Sequence, residues 1–152
     1  MKTVTVNDEQ HMKRLGQSIG EVLIGGECFE LIGDVGAGKT TFTKGLGAGL
    51  GINEDVQSPS FTLSRVYEAR DGLSLEHYDF YRLQEPGILS YELDESLKNK
   101  TAVTVIEWAE TVAEVLPTER ITITFTYSPD GEARRISLEI PERYAYISGV
   151  IA

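Results

Sequence analysis

The chain has 152 residues, of which 41% are hydrophobic and 25% are charged. This is the size and composition of one globular domain, and it excludes a disordered or fibrous chain. Its 24 acidic residues outnumber its 14 basic residues, which gives a net charge of −10 and argues against a domain that holds RNA or DNA unaided, because phosphate contacts need a basic surface.

The N-terminal quarter predicts a short strand followed by an amphipathic helix. Residues 3–6 alternate as a strand, and Asn7 or Asp8 can cap the helix that follows. The apolar residues of this helix recur at helical spacing: Met12, Leu15, Ile19, Val22 and Leu23. We expect Gly25 and Gly26 to end it. The N-terminal residues do not match a signal peptide, and no apolar run reaches the about 18 residues that span a bilayer, so we expect a cytoplasmic protein without a membrane segment.

A second strand and helix flank a glycine-rich turn. Residues 27–32 predict a short apolar strand, and residues 40–50 predict a helix that Gly51 closes. The strand carries Cys28, the lone cysteine of the chain. A single cysteine excludes an internal disulfide and fits a reducing compartment. We expect Cys28 to be an inert buried thiol.

The rest of the chain is rich in predicted strands. They cover residues 61–69, 74–80, 101–106, 120–127 and 133–140. Turn residues at 71–72 and 128–131 predict two hairpins. We expect one or two short helices over 86–97 and one helix from about 108 to 115. The apolar tail, residues 141–152, could pack on the sheet, or dock on a partner or on a second copy of the chain.

Residues 33–40, GDVGAGKT, match the phosphate-binding pattern G-x-x-x-x-G-K-[ST] between a predicted strand and a predicted helix. Glycines let the backbone close around an anion, and the following helix N-terminus adds partial positive charge. In this pattern Lys39 reaches the β- and γ-phosphates, and the Thr40 hydroxyl binds Mg²⁺. The alternative is a glycine-rich turn with an incidental lysine. The strand–loop–helix context favours a nucleotide-phosphate site.

Two carboxylates at predicted strand ends are candidates for the remaining chemistry. Asp79 closes one strand and fits the residue that organises magnesium, while Glu107 follows the apolar strand 101–106 and fits the residue that orients a nucleophile. In open α/β sheets the carboxyl ends of the strands line the ligand crevice. The alternatives are an ordinary surface aspartate and a solvated glutamate that starts a helix.

Four segments, in this order and at this spacing, carry a family resemblance: GDVGAGKTTFTKG (33–45), SPSFTL (58–63), HYDFYRL (77–83) and VIEWAE (105–110). They resemble the TsaE (YjeE) family of bacterial ATPases in tRNA threonylcarbamoyladenosine biosynthesis. The similarity covers about residues 1–140. It implies an α/β fold, a single P-loop NTPase-like domain whose mixed central sheet is flanked by helices and ends in a C-terminal β-hairpin.

The resemblance also implies an activity and partners. The family binds MgATP or MgADP and hydrolyses ATP slowly, to useful effect only with TsaB- and TsaD-type proteins. The TsaD-type protein transfers the threonylcarbamoyl group to adenosine 37 of tRNAs that read codons beginning with A. The ATPase would therefore meet tRNA only through the complex, and alone it would be a monomer or a weak oligomer.

By position, the resemblance assigns a role to each matching residue. The expected nucleotide-binding residues are Gly33, Asp34, Val35, Gly36, Ala37, Gly38, Lys39, Thr40 and Thr41. The expected metal ligands are Thr40, Asp79 and Glu107. The expected catalytic residues are Glu107, Lys39, Thr62 and Trp108. Thr62 resembles a switch residue that senses Mg²⁺ or the γ-phosphate, and Trp108 would pack beside Glu107.

Several residues depart from the family pattern or invite other roles. Ser60 and Met12 stand where threonine is common, and Ala109 stands where proline is common. We expect His77 to be a structural neighbour of Asp79, and Arg82 to be a salt-bridge partner rather than an arginine finger.

Two other classes of protein compete with this interpretation. A small-molecule P-loop kinase usually has a basic lid over the phosphates, which the three basic residues between 81 and 101 support poorly. A nucleotide-gated binding module without turnover would not need Glu107. Hydrolysis measured with partners separates the module from an ATPase.

Overall fold

A computed structural model describes residues 1–34, 36–59, 64–81 and 87–151. Within these residues seven strands form one sheet: β1 (Lys2–Val6), β2 (Cys28–Ile32), β3 (Ser64–Glu68), β4 (Ser74–Asp79), β5 (Ala102–Glu107), β6 (Ile121–Tyr127) and β7 (Arg134–Glu139). The helices are α1 (Glu9–Gly20), α2 (Lys39–Gly49), α3 (Ile88–Lys98) and a single turn, α4 (Ala145–Ser148). Each of these helices is too short or too polar to cross a membrane.

The strand order is β1-β7-β6-β2-β5-β4-β3. The four central strands pair in parallel, and the antiparallel pairs β6–β7, β1–β7 and β3–β4 complete the sheet. Every residue of β5 is buried, because a central parallel strand is covered on both faces. The predicted mixed sheet, its flanking helices and its C-terminal β-hairpin are all confirmed.

Two hydrophobic clusters cover the two faces of the sheet. The larger cluster joins one face to the apolar side chains of α1 and α2, and the smaller cluster joins the other face to α3. The tail belongs to the larger cluster, because Tyr144, Ile147 and Ile151 are buried in it. The Tyr146 hydroxyl donates a hydrogen bond to the carboxylate of Glu27. Of the alternatives for the tail, packing on the sheet is therefore the one observed within residues 141–151.

Some predicted element boundaries were wrong. α1 ends at Gly20 and does not continue to Gly25 and Gly26; those two glycines form a loop with positive φ. The predicted helix over 108–115 is only a 3₁₀ helix, Ala109–Val112, because Trp108 takes a left-handed conformation with φ 56° that an α-helix cannot include. The strand predicted over 61–69 is observed as β3, Ser64–Glu68. Residues 61–63 lie outside the described residues. The segment predicted as one or two helices forms the single helix α3.

α1 and α2 touch backbone to backbone through glycines. A Cβ atom on Gly45 would lie 2.2 Å from the carbonyl oxygen of Lys13, and one on Gly16 would lie 2.3 Å from the carbonyl oxygen of Phe42. Real Cβ atoms do not approach backbone this closely, so the contact requires residues without a side chain. The two helices therefore hold the loop before α2 close to the N-terminal segment.

Gly45→Ala is expected to lower the free energy of unfolding by about 2–3 kcal/mol, because the two helices must separate to admit the methyl group. Urea denaturation followed by circular dichroism measures the change. Gly149→Ala is the matched control, since its Cβ would lie 3.7 Å from the carbonyl oxygen of Tyr146, an ordinary contact distance, and its φ of −67° suits alanine. It should change stability by less than about 0.5 kcal/mol. Equal stability of the two variants would contradict the close-contact argument.

Cys28 is buried in the smaller cluster, as expected of an inert thiol. Burial raises the pKa of this thiol from its ordinary value of 9.0 to about 12, although the nearby Arg120 guanidinium acts in the opposite direction. We expect no labelling by a disulfide reagent at pH 8 until the chain unfolds. The stability gained from the buried neutral thiol should be complete below pH 9 and be lost as the pH rises towards 12. Stoichiometric labelling of the folded chain would contradict this prediction.

Candidate nucleotide site

The glycine loop lies between the end of β2 and the start of α2, as its pattern predicts. Gly36 and Gly38 have φ values of 84° and 107°, which residues with side chains rarely adopt. Gly38 is the N-cap of α2 and has no side chain with which to cap it, so the first N–H groups of this 11-residue helix are not occupied by their own cap residue. This loop has the backbone conformation and the helix terminus that favour an anion. Val35 lies outside the described residues.

Lys39 bends back across the loop. Its ammonium group donates a hydrogen bond to the carbonyl oxygen of Gly33 at 2.6 Å and lies 3.7 Å from Oε1 of Glu107. It also lies 4.2 Å from the centroid of the Trp108 ring, which is a cation–π distance. Only 5% of Lys39 is exposed. The cation is thus held between a carboxylate, an aromatic face and the loop backbone.

Asp79 and Glu107 lie side by side at the carboxyl ends of two parallel strands. They are directly paired in the register of β4 and β5, and each is 4% exposed. An oxygen of Asp79 accepts the backbone N–H of Tyr81 at 2.9 Å. Glu107 also pairs with Leu31 of β2, the strand that leads into the glycine loop. The topology therefore brings both predicted carboxylates to the edge of the sheet where the loop lies.

A cavity of about 310 Å³ joins these groups. It is lined by Gly36, Gly38, Lys39, Thr40, Thr41, Ser58, Asp79, Tyr81, Glu107 and Trp108. Thr40 and Thr41 thus face the same space as the two carboxylates. Of the predicted loop residues, Ala37 packs its methyl group into the core, while Asp34 is exposed and accepts the N–H of Ala37 through its carbonyl oxygen.

Oxygen donors for a magnesium ion line this cavity. Magnesium is held in proteins by one or two carboxylates together with substrate phosphates and water. The Thr40 hydroxyl and the carboxylates of Asp79 and Glu107 are donors of this hard type. Within the described residues there is no cluster of three or more His, Cys, Asp or Glu side chains that would hold a metal by themselves. The residues present therefore fit a magnesium ion that arrives with phosphates.

A second cavity, of about 210 Å³, opens on the other side of the glycine loop. It shares Gly36, Gly38 and Thr41 with the first cavity, and the start of α1 forms much of its wall. Its other lining residues are Val6, Asn7, Asp8, Glu9, Met12 and Arg134. The methyl group of Met12 reaches Gly38, where it would meet a Cβ atom at 2.7 Å. Met12, which stands where threonine is common in the family, therefore packs its side chain against the loop.

The structure adds contacts and lining residues that the sequence did not predict. His77 stays predicted as a structural neighbour of Asp79, and its observed side-chain contact is with Glu107, the register partner of Asp79, with Nε2 at 2.7 Å from Oε2. The alternation of β4 predicts that His77 and Asp79 share one face of the sheet. The contact between His77 and Glu107 depends on the pairing of β4 with β5, which the sequence alone does not specify. Arg134 and Tyr81 were missed as lining residues for the same reason. Thr62, Ser60 and Arg82 lie outside the described residues.

In the parallel centre of this mixed sheet, β2 enters a glycine loop, a lysine starts the helix that follows, and carboxylates lie at the ends of neighbouring strands. This arrangement defines a P-loop nucleotide-binding protein of the α/β class. Residues 6–136 match the model of the family described as threonylcarbamoyl adenosine biosynthesis protein TsaE. The chain belongs to this family.

Relatives of known name and structure agree with the family match. The tRNA threonylcarbamoyladenosine biosynthesis protein TsaE of a Nostoc species is 36% identical, over 100% of this chain and 93% of the relative. The protein of the same name from Bacillus subtilis is 38% identical, over 95% of this chain and 89% of the relative. The crystal structure of Bacillus subtilis YdiB superposes with a TM-score of 0.76 at 32% identity, and the match covers 97% of this chain and 91% of that one.

Proposed function

We propose that this chain binds ATP and hydrolyses it at the P-loop, and that hydrolysis supports the formation of threonylcarbamoyladenosine in tRNA. The observation that carries the proposal is the shared cavity in which Lys39, Thr40, Asp79 and Glu107 all meet the glycine loop. Phosphate binding alone would require only the loop, the lysine and the helix N-terminus. The two buried carboxylates add the groups that phosphoryl transfer to water requires.

The phosphates would lie along the glycine loop. The N–H groups of residues 36–41 and the N-terminus of α2 would bind their oxygens, and Lys39 would leave the Gly33 carbonyl to bind the β- and γ-phosphates. Thr40 and Asp79, with Glu107 as a further ligand, would hold the magnesium ion. When bound there, Mg²⁺ would supply positive charge that offsets the negative charge developing during transfer.

Glu107 is the residue that would position the attacking water. Its carboxylate lines the phosphate cavity at the end of β5, and Oε1 lies 3.7 Å from the ammonium group of Lys39. Trp108 would keep bulk water from this side of the site by packing on Lys39 and on the ring of Tyr81, whose centroid is 4.8 Å away. Thr62 keeps its expected role as the switch residue that senses Mg²⁺ or the γ-phosphate.

The second cavity would take the base and ribose. It continues from the phosphate cavity across Gly36 and Gly38 and combines the apolar side chains of Val6 and Met12 with polar groups of the loop before α1. Most nucleotide-base pockets are apolar with a few polar groups that fix orientation. The position of this cavity, adjoining the phosphate cavity at the glycine loop, supports the assignment.

The proposed role needs partners. The chain carries a charge of −10, so tRNA would be bound chiefly by TsaB- and TsaD-type proteins, of which the TsaD-type protein transfers the threonylcarbamoyl group to adenosine 37 of tRNAs that read codons beginning with A. Hydrolysis by this chain would act on that complex, in the cytoplasm, rather than carry out the transfer. Alone, the chain would be a monomer or a weak oligomer.

Steady-state ATP hydrolysis by the purified chain, alone and with TsaB- and TsaD-type partners, tests the proposal. We expect turnover alone near the roughly 10⁻⁴–10⁻² s⁻¹ of unassisted P-loop switches, with a rise when both partners are present. Omission of Mg²⁺ should abolish it. No turnover under any condition would contradict an ATPase. Partner-independent ATP consumption that requires a small hydroxyl compound would identify a kinase instead.

A further inference from the structure

His77 is completely buried and makes a short hydrogen bond to Glu107. Its exposure is 0%, and its Nε2 atom lies 2.7 Å from Oε2 of the carboxylate. The other oxygen, Oε1, lies 3.7 Å from the ammonium group of Lys39. The two oxygens of Glu107 therefore have different environments, because Oε2 is bound within the sheet and Oε1 faces the lysine.

Strand register places His77 where it can reach Glu107. On β5, Val105 pairs with His77 and Glu107 pairs with Asp79, so the imidazole reaches one step along the neighbouring strand towards the carboxyl end of the sheet. Arg65 of β3 is its partner on the opposite side. A side chain that bridges two strands inside a packed core has one accessible rotamer, so it can fix what it binds.

The two nitrogens of the imidazole are not equivalent. An ionised carboxylate only accepts hydrogen bonds, so Nε2 must carry the proton that it shares with Glu107. Within the described part of the chain, Nδ1 is buried and finds no hydrogen-bond partner. A second proton at Nδ1 would be an unsatisfied buried donor. The geometry therefore places the proton of this hydrogen bond on Nε2, which donates it to Glu107.

We propose that His77 is a positioning residue for Glu107: it holds Oε2 inside the sheet and thereby presents Oε1 to the reacting water. This inference rests on the proposed ATPase function. It differs from a purely structural role, in which the pair would support folding but its geometry would not matter for turnover. Misplacement of a reacting group by about 1 Å can lower a rate about 100-fold.

Two polar substitutions at His77 test whether the reach of its N–H donor to Glu107 matters for turnover. His77→Gln keeps an N–H donor at the same number of bonds from the backbone as Nε2, so it can still bind Glu107. His77→Asn places its amide only as deep as Nδ1 and cannot. We expect His77→Asn to lower kcat by about 10- to 100-fold, as the loss of groups that orient a ligand does, with little change in KM for ATP. His77→Gln should recover most of that loss.

A double variant tests whether His77 affects turnover through Glu107. If His77 works only by holding this carboxylate, His77→Asn should lower turnover no further when Glu107→Gln is already present. Thermal melting and titration with a fluorescent ADP analogue check that each variant is folded and binds nucleotide. Equal kcat for wild type and His77→Asn, or equal losses for the asparagine and glutamine variants, would overturn the proposal.

A readout that does not need activity is the ¹⁵N NMR spectrum of the histidine side chains. Wild type should show His77 as the Nε2–H tautomer in slow exchange with water, and Glu107→Gln should shift that signal. An Nδ1–H tautomer, or a signal unaffected by the substitution at 107, would overturn the proposal even if His77→Asn is poorly folded. If wild type hydrolyses no ATP while the NMR contact is present, the proposed function fails, and with it the positioning role, although the contact itself stands.

Discussion

Replacing Lys39 with alanine is expected to remove nucleotide binding. The Lys39 side chain lines the phosphate cavity and is buried, with 6% of the side chain exposed. Removing one partner of a buried charged interaction costs about 2–5 kcal/mol of binding free energy, which corresponds to a rise of about 30- to 4,000-fold in the Kd for MgATP or MgADP. Calorimetric titration of the purified variant measures it.

Lys44→Ala is the matched control for this prediction. Lys44 is on the same helix, but its side chain is on the surface and lies 3.5 Å from a carboxylate oxygen of Asp55. An exposed ion pair contributes little, so Kd for the nucleotide should stay within about twofold of wild type. If Lys39→Ala binds MgADP as tightly as Lys44→Ala, the glycine loop is not the phosphate site.

Replacing Glu107 with glutamine is expected to lower turnover and to spare nucleotide binding. Glutamine has almost the same shape but cannot take a proton from water, and the loss of a general base lowers rates by about 10²- to 10⁴-fold. Kd for MgADP should change by only a few fold, because the loop, Lys39 and Thr40 remain. Partner-stimulated ATP hydrolysis gives kcat, and the titration used for Lys39 gives Kd.

Glu110→Gln makes the same chemical change three residues further on, at an exposed position outside the cavity. It should leave both kcat and Kd near the wild-type values. A Glu107→Gln variant that fails to bind MgADP would contradict the assignment to the water, and would favour Glu107 as an essential metal ligand. Wild-type turnover in Glu107→Gln would exclude both roles.

The local features of this fold could be predicted from the sequence. The apolar runs and alternations located the strands of the sheet, and Asp8 does cap α1, accepting the N–H of His11 at 2.8 Å. The helix predicted after Glu107 failed because apolar spacing does not report the left-handed conformation of Trp108. The predicted end of α1 was wrong for a related reason. Gly25 approaches the backbone of Lys100 so closely that a Cβ atom on it would lie 2.4 Å from the Lys100 carbonyl oxygen, and neither Gly25 nor Gly26 caps the helix.

The phosphate loop could be predicted from local sequence, because its glycines, Lys39 and Thr40 are adjacent in the chain and their geometry depends on backbone conformation. Which side chains meet the loop depends on how distant strands pair. Glu107 contacts Lys39 and His77 from distant positions in the chain because β2, β4 and β5 are neighbours in register. The pairing of strands is fixed by the packing of the whole core, and spacing along the chain does not encode it.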